Sequence, residues 1–203
     1  TASGGNPGRG AHRLAVESAR RVYEARRACA DLLGVPDTHD LIFLSGCTAG
    51  CNLMLKGVLG PGDRVVVSSV EHNAVARPLE VLRAGGVDVV RVRADSDGVV
   101  DPADVDAAVR AAPTRAVVCQ HASNVSGAVQ SLADIAQIAH DAGALLLVDG
   151  AQAGGHLELD LGQLGADVYA ISGHKGMLGP QGVGLLYIEP HVEVEEILQG
   201  GTG

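Results

Sequence analysis

The stretch Leu145-Leu146-Leu147-Val148-Asp149-Gly150 decides the fold, because four consecutive apolar residues end at one carboxylate and a glycine. A short, continuous apolar run is typical of a strand that is buried on both faces, as the strands of parallel sheets are. The residues before it, about 132–142, have apolar side chains at helical spacing. A helix that leads into a buried strand is the repeating unit of an α/β protein.

The same alternation extends along the chain in both directions. A first helix over 11–33 has a helical apolar stripe and ends at Gly34, before Pro36. The further predictions are strands over 41–44, 64–68, 88–91, 116–120, 145–148, 167–171 and 184–188, and helices over 49–58, 73–84, 101–110 and 132–142. This alternation predicts a three-layer α/β/α domain with a mostly parallel, doubly wound sheet, in which the last two strands are neighbours. No linker divides residues 1–203, so one domain is expected.

Composition and charge exclude several classes of protein. The 203 residues are 46% hydrophobic but only 2% aromatic, so the chain is globular and its core is expected to be aliphatic. A net charge of -9 has the wrong sign for a nucleic-acid partner, and no apolar run is long enough to span a membrane. The four cysteines form no Cys-x-x-Cys pair, so neither a disulfide framework nor a zinc site is indicated. Free thiols and the lack of a signal pattern predict a cytoplasmic protein.

Polar residues follow five of the predicted strands. In open α/β sheets, ligands bind at the carboxyl ends of the strands, so these residues are the candidates for a binding site. They are Gly46-Cys47-Thr48, Glu71-His72-Asn73, Asn124-Val125-Ser126-Gly127, Asp149-Gly150-Ala151-Gln152 and Ser172-Gly173-His174-Lys175-Gly176.

Two of these sites have both a purely structural and a functional interpretation. The turn before the second helix suits a phosphate, because a helix start offers free N–H groups, but Thr48 as an ordinary N-cap explains the same residues. Asp149 could pair with a protonated ring nitrogen, bond a ribose hydroxyl or hold a metal, or it could be a turn residue.

Lys175 is one of only two lysines, and it lies in a glycine-rich loop at a strand end. This placement favours a Schiff-base nucleophile over a solvated surface lysine. His72 could stack on a planar ligand or move protons, although a strand-end histidine is often merely hydrogen-bonded. Asn124 and Gln152 could bond a phenolic or carbonyl oxygen, or could serve turn geometry alone.

Taken in order, these five motifs and Pro7-Gly8-Arg9-Gly10-Ala11-His12 resemble the pyridoxal-phosphate class V aminotransferase family, in its cysteine desulfurase and selenocysteine lyase branch. The resemblance covers essentially the whole chain. It implies the large domain of a fold-type-I transferase that depends on pyridoxal 5'-phosphate (PLP). It also implies desulfuration of L-cysteine or a similar amino acid, a homodimer and a sulfur-acceptor protein. No nucleic acid or membrane partner is expected.

The resemblance also implies a role for each matching residue. Lys175 would hold the cofactor as a Schiff base and move the substrate Cα proton, and His72 would stack on the ring as the second catalytic residue. Asp149 would pair with the ring nitrogen. Gln152 would bond the ring hydroxyl oxygen, with Asn124 near that oxygen and the substrate. The remaining cofactor-binding residues, around the phosphate, would be Thr48, Ala49, Ser172 and His174.

The sequence departs from the family pattern in two ways. Gly46-Cys47-Thr48-Ala49 stands where the family has Gly-Thr-Thr-Glu or Ala-Thr-Glu, so a cysteine lies beside the expected phosphate site. No cysteine occupies the family's persulfide position, and we expect the chain to lack an N-terminal segment and a C-terminal small domain. Another class V reaction (transamination, selenocysteine cleavage, epimerisation or kynureninase-like cleavage) and an inactive cofactor-binding fragment therefore remain alternatives.

Overall fold

The computed structural model describes residues 5–8 and 10–200. Arg9 of the first motif and residues 201–203 lie outside the described part of the chain. The helices are α1 (Arg13–Leu33), α2 (Cys47–Val58), α3 (Asn73–Ala84), α4 (Pro102–Arg110), α5 (Leu132–Asp141) and α6 (Leu161–Leu164). The strands are β1 (Leu41–Leu44), β2 (Arg64–Ser68), β3 (Asp88–Val92), β4 (Ala116–Gln120), β5 (Leu145–Asp149), β6 (Val168–Ser172) and β7 (Gly184–Ile188).

The seven strands form one sheet in the order β1-β7-β6-β5-β4-β2-β3. β7 pairs antiparallel with both β6 and β1, and the other pairings in the sheet are parallel. The mostly parallel sheet and the pairing of the last two strands are therefore confirmed. Because β1, β2, β4, β5 and β6 run in one direction, their carboxyl ends open at the same edge of the sheet.

Two apolar layers cover the faces of this sheet, as a doubly wound fold requires. Leu146 and Val148 of β5 pack into the layer that includes residues of α1, α4 and α5, whereas Leu147 packs into the layer formed with α2 and α3. The continuous apolar run in β5 thus follows from burial on both faces. The core is largely aliphatic, with Tyr169 and Tyr187 as its fully buried aromatic side chains.

The structure corrects the start of the second helix. α2 begins at Cys47, two residues earlier than the sequence pattern indicates, and its N-cap is Gly46. The interpretation of Thr48 as an ordinary N-cap is therefore wrong, because Thr48 lies inside the first turn. The 3-10 turn Thr38–Asp40 and the short helix α6 had no sequence prediction, since neither is long enough to show a period. Among the described residues, no helix is long and apolar enough to cross a membrane.

Candidate active site

A cleft of about 610 Å³ opens where the carboxyl ends of the parallel strands meet. This volume lies within the range of small-molecule sites, roughly 300–1,000 Å³. The cleft is lined by Ser45, Gly46, Cys47, Thr48, Ala49, Asn52, His72, Ala74, Asp149, Ala151, Ser172, His174 and Lys175.

The fold brings the predicted site residues together in two adjoining spaces. Seven of them line the cleft, namely Thr48, Ala49, His72, Asp149, Ser172, His174 and Lys175. Asn124 and Gln152 instead line a small hollow of about 10 Å³, which shares His72, Asp149 and Lys175 with the cleft. The hollow therefore places the two amides beside the main cleft rather than inside it.

The N-terminus of α2 forms one end of the cleft. Gly46 provides no side-chain cap, and its carbonyl oxygen accepts the first backbone hydrogen bonds, from Ala49 and Gly50. Gly46 has a φ of 141°, and a Cβ at this position would meet nothing within 4 Å, so the turn is open. N–H groups in the first turn of a 12-residue helix, together with the helix dipole, attract an anion.

Ser172 and His174 approach this end of the cleft from β6. The Ser172 hydroxyl and Nδ1 of His174 lie 3.2 Å apart and form a hydrogen bond. Ser172 is buried as the last residue of β6, whereas His174 is exposed in the loop that leads to Lys175. Ser172 and His174 can therefore donate a hydrogen bond to an anion at the N-terminus of α2.

Asp149 lies at the floor of the cleft and is only 3% exposed. Its Oδ1 accepts hydrogen bonds from the Cys47 thiol, at 3.3 Å, and from the Ala151 backbone N–H, at 3.0 Å. Among the described residues, no hydrogen bond ends on Oδ2 of this carboxylate. One oxygen is therefore fixed by the protein, and the other is left for a donor in the cleft.

The sequence alone does not predict the hydrogen bond between Cys47 and Asp149, which lie 102 positions apart. A hydrogen bond with Cys51, burial and the negative charge of Asp149 all raise the pKa of the Cys47 thiol. Cys47 is therefore a protonated donor to Asp149 and not a thiolate nucleophile. The available signal was the four-residue spacing of Cys47 and Cys51, which puts both thiols on one side of α2.

His72 is held by its own helix. As the N-cap of α3, it accepts a hydrogen bond from Ala74 N–H on Nδ1 at 3.0 Å, while its ring lines both the cleft and the hollow. The hydrogen-bonded interpretation and the ligand-facing interpretation of His72 are therefore compatible, because the cap fixes the ring beside the cleft.

Glu71, next to His72, is a second residue to which sequence reasoning gave no role. Its Oε1 accepts hydrogen bonds from the Ser68 hydroxyl and from the Gln120 backbone N–H, while Oε2 is buried with no hydrogen-bond partner among residues 5–8 and 10–200. Burial raises the pKa of Glu71 from 4.5 to about 8, so the carboxyl is mostly protonated at neutral pH. Glu71 therefore joins β2 to β4 at the position next to His72 in the sequence.

Comparison with known proteins identifies the family. The model of the family described as aminotransferase class-V matches residues 1–203. The chain belongs to the class-V aminotransferase family. Within that family, a probable cysteine desulfurase of Methanothermobacter thermautotrophicus is 42% identical over 199 residues, which are 97% of this chain and 49% of the relative.

Solved structures of class-V aminotransferase relatives share the fold. The apo cysteine desulfurase of Thermococcus onnurineus NA1 matches with a TM-score of 0.89 at 32% identity, over 95% of this chain and 49% of that one. A structure of SspA in complex with cysteine matches with a TM-score of 0.90 at 28% identity, over 98% of this chain and 58% of that one. The predicted fold-type-I architecture and the resemblance to cysteine desulfurases are confirmed. The chain spans about half the length of the curated relatives it matches.

Proposed function

We propose that this protein acts as a PLP-dependent, cysteine desulfurase-like enzyme that converts L-cysteine to L-alanine and releases the sulfur to an acceptor. The proposal is carried by one observation: a carboxylate, a lysine and a helix N-terminus, from Asp149, Lys175 and α2, border the same cleft. The identity to cysteine desulfurases supports L-cysteine as the substrate.

The residues of the cleft fit PLP by their chemistry. The open turn at Gly46 and the first N–H groups of α2 suit the phosphate. Oδ2 of Asp149, free of hydrogen bonds from the described residues, suits a protonated ring nitrogen. The amine of Lys175 suits the aldehyde carbon. These three groups match the three reactive parts of the cofactor.

Each side chain has a defined task in this mechanism. When bound, PLP supplies a conjugated ring that accepts the electron pair released at the substrate Cα. Asp149 would stabilise a positive charge on the ring nitrogen, and the Cys47 thiol and Ala151 N–H hold its Oδ1 in place. Nζ of Lys175 would receive the Cα proton and later return a proton to the product. His72, which lines the cleft, would cover one face of the ring, and Gln152, which lines the hollow, would bond the ring oxygen.

The cysteines of this chain do not suit the sulfur-accepting role. The pKa of Cys47 is raised as described above, and burial raises the pKa of Cys119 and of Cys29. Cys51 is fully buried. A buried thiol is a poor nucleophile, as is one whose pKa is raised, which supports an acceptor cysteine outside these four positions.

Lys175→Ala tests the proposal, and Lys56→Ala is its matched control. Lys56 lies in the last turn of α2, outside the cleft. Addition of PLP to the purified protein is expected to give a visible absorption band in the wild type and in Lys56→Ala, and none in Lys175→Ala. With L-cysteine and excess dithiothreitol, which accepts the sulfur and reduces it to sulfide, the expected products are alanine, sulfide and oxidised dithiothreitol. A band that survives in Lys175→Ala would contradict the lysine assignment, and a keto acid product would indicate transamination.

The homodimer, the sulfur-acceptor protein and the cytoplasmic location are further parts of the proposal. The homodimer and the acceptor protein rest on the family resemblance, and the cytoplasmic location rests on the free thiols. Sedimentation velocity of the purified protein tests the homodimer, for which a single species of twice the chain mass is expected.

A further inference from the structure

Two thiols and a carboxylate converge beneath the floor of the cleft. The sulfur atoms of Cys47 and Cys51 lie 3.9 Å apart, and the Cys47 sulfur lies 3.3 Å from Oδ1 of Asp149. The three potential ligand atoms all lie within 4.8 Å of one another. All three residues are buried, so the cluster is a fixed part of the fold.

The two separations that involve the Cys47 sulfur match those of a tetrahedral zinc site. Zinc binds thiolate sulfur at about 2.3 Å and carboxylate oxygen at about 2.0 Å, which puts two sulfurs about 3.8 Å apart and a sulfur and an oxygen about 3.5 Å apart. The two distances in the structure differ from these by about 0.2 Å or less. We propose that Cys47, Cys51 and Asp149 form a binding site for Zn²⁺, with the fourth position open to the cleft.

The local structure supplies the other features that such a site needs. Cys47 and Asp149 line the cleft and so give an ion access, whereas Cys51 is fully buried among apolar side chains. The Ala151 N–H bonds Oδ1 of Asp149 and fixes its orientation, as outer hydrogen bonds do for metal ligands. Both cysteines lie in the first turns of α2, so their spacing does not depend on a mobile loop.

The binding step balances without an oxidant or reductant. Zn²⁺ replaces the two thiol protons, which pass to solvent, and the S–H hydrogen bond from Cys47 to Asp149 gives way to metal bonds. Two thiolates and one carboxylate contribute three negative charges, and the ion contributes two positive ones. A water molecule in the cleft completes the tetrahedron.

A zinc ion at this site opposes PLP binding, an extension that rests on the proposed function. The ion withdraws the negative charge of Asp149, on which the ring nitrogen of PLP depends. We therefore expect Zn²⁺ to lower the affinity for PLP. Zn²⁺ bound to this cluster would then inhibit the enzyme.

The test measures zinc binding in the absence of PLP, so its outcome is independent of the proposed function. Zn²⁺ is titrated into the reduced, PLP-free protein in competition with a chromophoric chelator. Cys51→Ser is expected to weaken binding about a hundredfold, because loss of a mere outer-shell partner already costs about 10–100-fold. Cys29→Ser, in α1 and remote from the cluster, is expected to bind as the wild type does.

Two further measurements test whether zinc binds the two sulfur atoms and whether the Cys51→Ser variant is folded. X-ray absorption at the zinc edge of the wild type is expected to show two sulfur ligands at about 2.3 Å, and far-ultraviolet circular dichroism checks that Cys51→Ser is folded. A zinc spectrum without sulfur, or zinc affinity in folded Cys51→Ser equal to that of the wild type, would overturn the site. The PLP titration is then repeated with and without Zn²⁺, and an unchanged PLP affinity would overturn only the inhibition.

Discussion

The buried carboxyl of Glu71 shows how one residue supports the cleft without lining it. It links Ser68 at the end of β2 to the Gln120 backbone at the end of β4, and Gln120 in turn donates to the Val70 carbonyl at 2.7 Å. Burial of a carboxyl disfavours its charged form. The contribution of Glu71 to the free energy of unfolding therefore depends on pH.

Glu71→Gln is expected to flatten the pH dependence of stability. Burial raises the pKa of Glu71 to about 8 from 4.5, so between these values the folded protein keeps a proton that the unfolded chain has lost. The free energy of unfolding therefore falls by a few kcal/mol as pH rises from about 4.5 to 8, at about 1.4 kcal/mol per pKa unit. Glutamine is neutral and removes this contribution.

Urea unfolding at several pH values measures the effect. Glu158→Gln, at an exposed position, is the matched control and should keep the wild-type slope. If Glu71→Gln also kept that slope, the buried carboxyl would titrate normally and its supporting role would be wrong.

At the scale of elements, most strands and helices follow from local pattern. The apolar runs of β2, β4 and β5 and the turn residues around them are enough to predict their bounds closely. The start of α2 is different, because its N-cap is a glycine with a φ of 141° and no capping side chain, and Gly184 of β7 packs closely against it.

The contact between Cys47 and Asp149 shows the limit of sequence reasoning about the site. The two residues belong to α2 and β5, and they meet only because both elements border the same sheet edge. A periodic pattern of apolar residues predicts which residues are neighbours within one helix or strand. The hydrogen bond between Cys47 and Asp149 depends instead on the order of the strands in the sheet. Lys175, Asp149 and His72 can be identified from sequence because each lies at the end of a recognisable strand or within four residues of it, with no need to know that order.

Gly184→Ala is expected to lower PLP affinity by disturbing the α2 N-terminus. A Cβ on Gly184, the first residue of β7, would lie 2.5 Å from the Gly46 carbonyl carbon and 2.9 Å from the Cys47 nitrogen. Relief of this overlap must move the turn that suits the phosphate. We expect a loss of about tenfold, the effect of removing about 1.4 kcal/mol of binding free energy.

The dissociation constant for PLP, followed by the visible band, measures this change. Gly60→Ala is a matched control in the loop after α2, because a Cβ there meets nothing closer than 3.9 Å. Equal affinity in Gly184→Ala and the wild type would show that β7 does not set the geometry of this turn.

At the scale of the whole molecule, Asp167 connects three parts of the chain from a position only 1% exposed. Its Oδ2 accepts from the Leu146 N–H at 2.6 Å and from His140 of α5 at 2.9 Å. Its Oδ1 lies 3.0 Å from Nε2 of His191, beyond β7. The carboxylate thus joins a helix, the central strand β5 and the segment after the last strand.

Asp167→Asn is expected to destabilise the protein by about 1–3 kcal/mol, because an amide cannot accept all of these hydrogen bonds. Asp106→Asn removes only an exposed ion pair with Arg110 and should cost less than about 1 kcal/mol. Urea unfolding of both variants measures the difference. Equal stability of the two would mean that Asp167 does not connect these parts of the chain.

The pairing of β1 with β7 determines when the cleft can be completed during folding. Within the described chain, β1 pairs with β7 alone, with Leu41 opposite Tyr187, so more than two thirds of the sequence given separates the partners. Contacts between distant segments form slowly, because a long loop must close first. β1 leads directly into the α2 N-terminus, so that end of the cleft is anchored only after β7 has been synthesised and has inserted between β1 and β6. A nascent chain therefore acquires Lys175 and Asp149 before it acquires a fixed place for a phosphate.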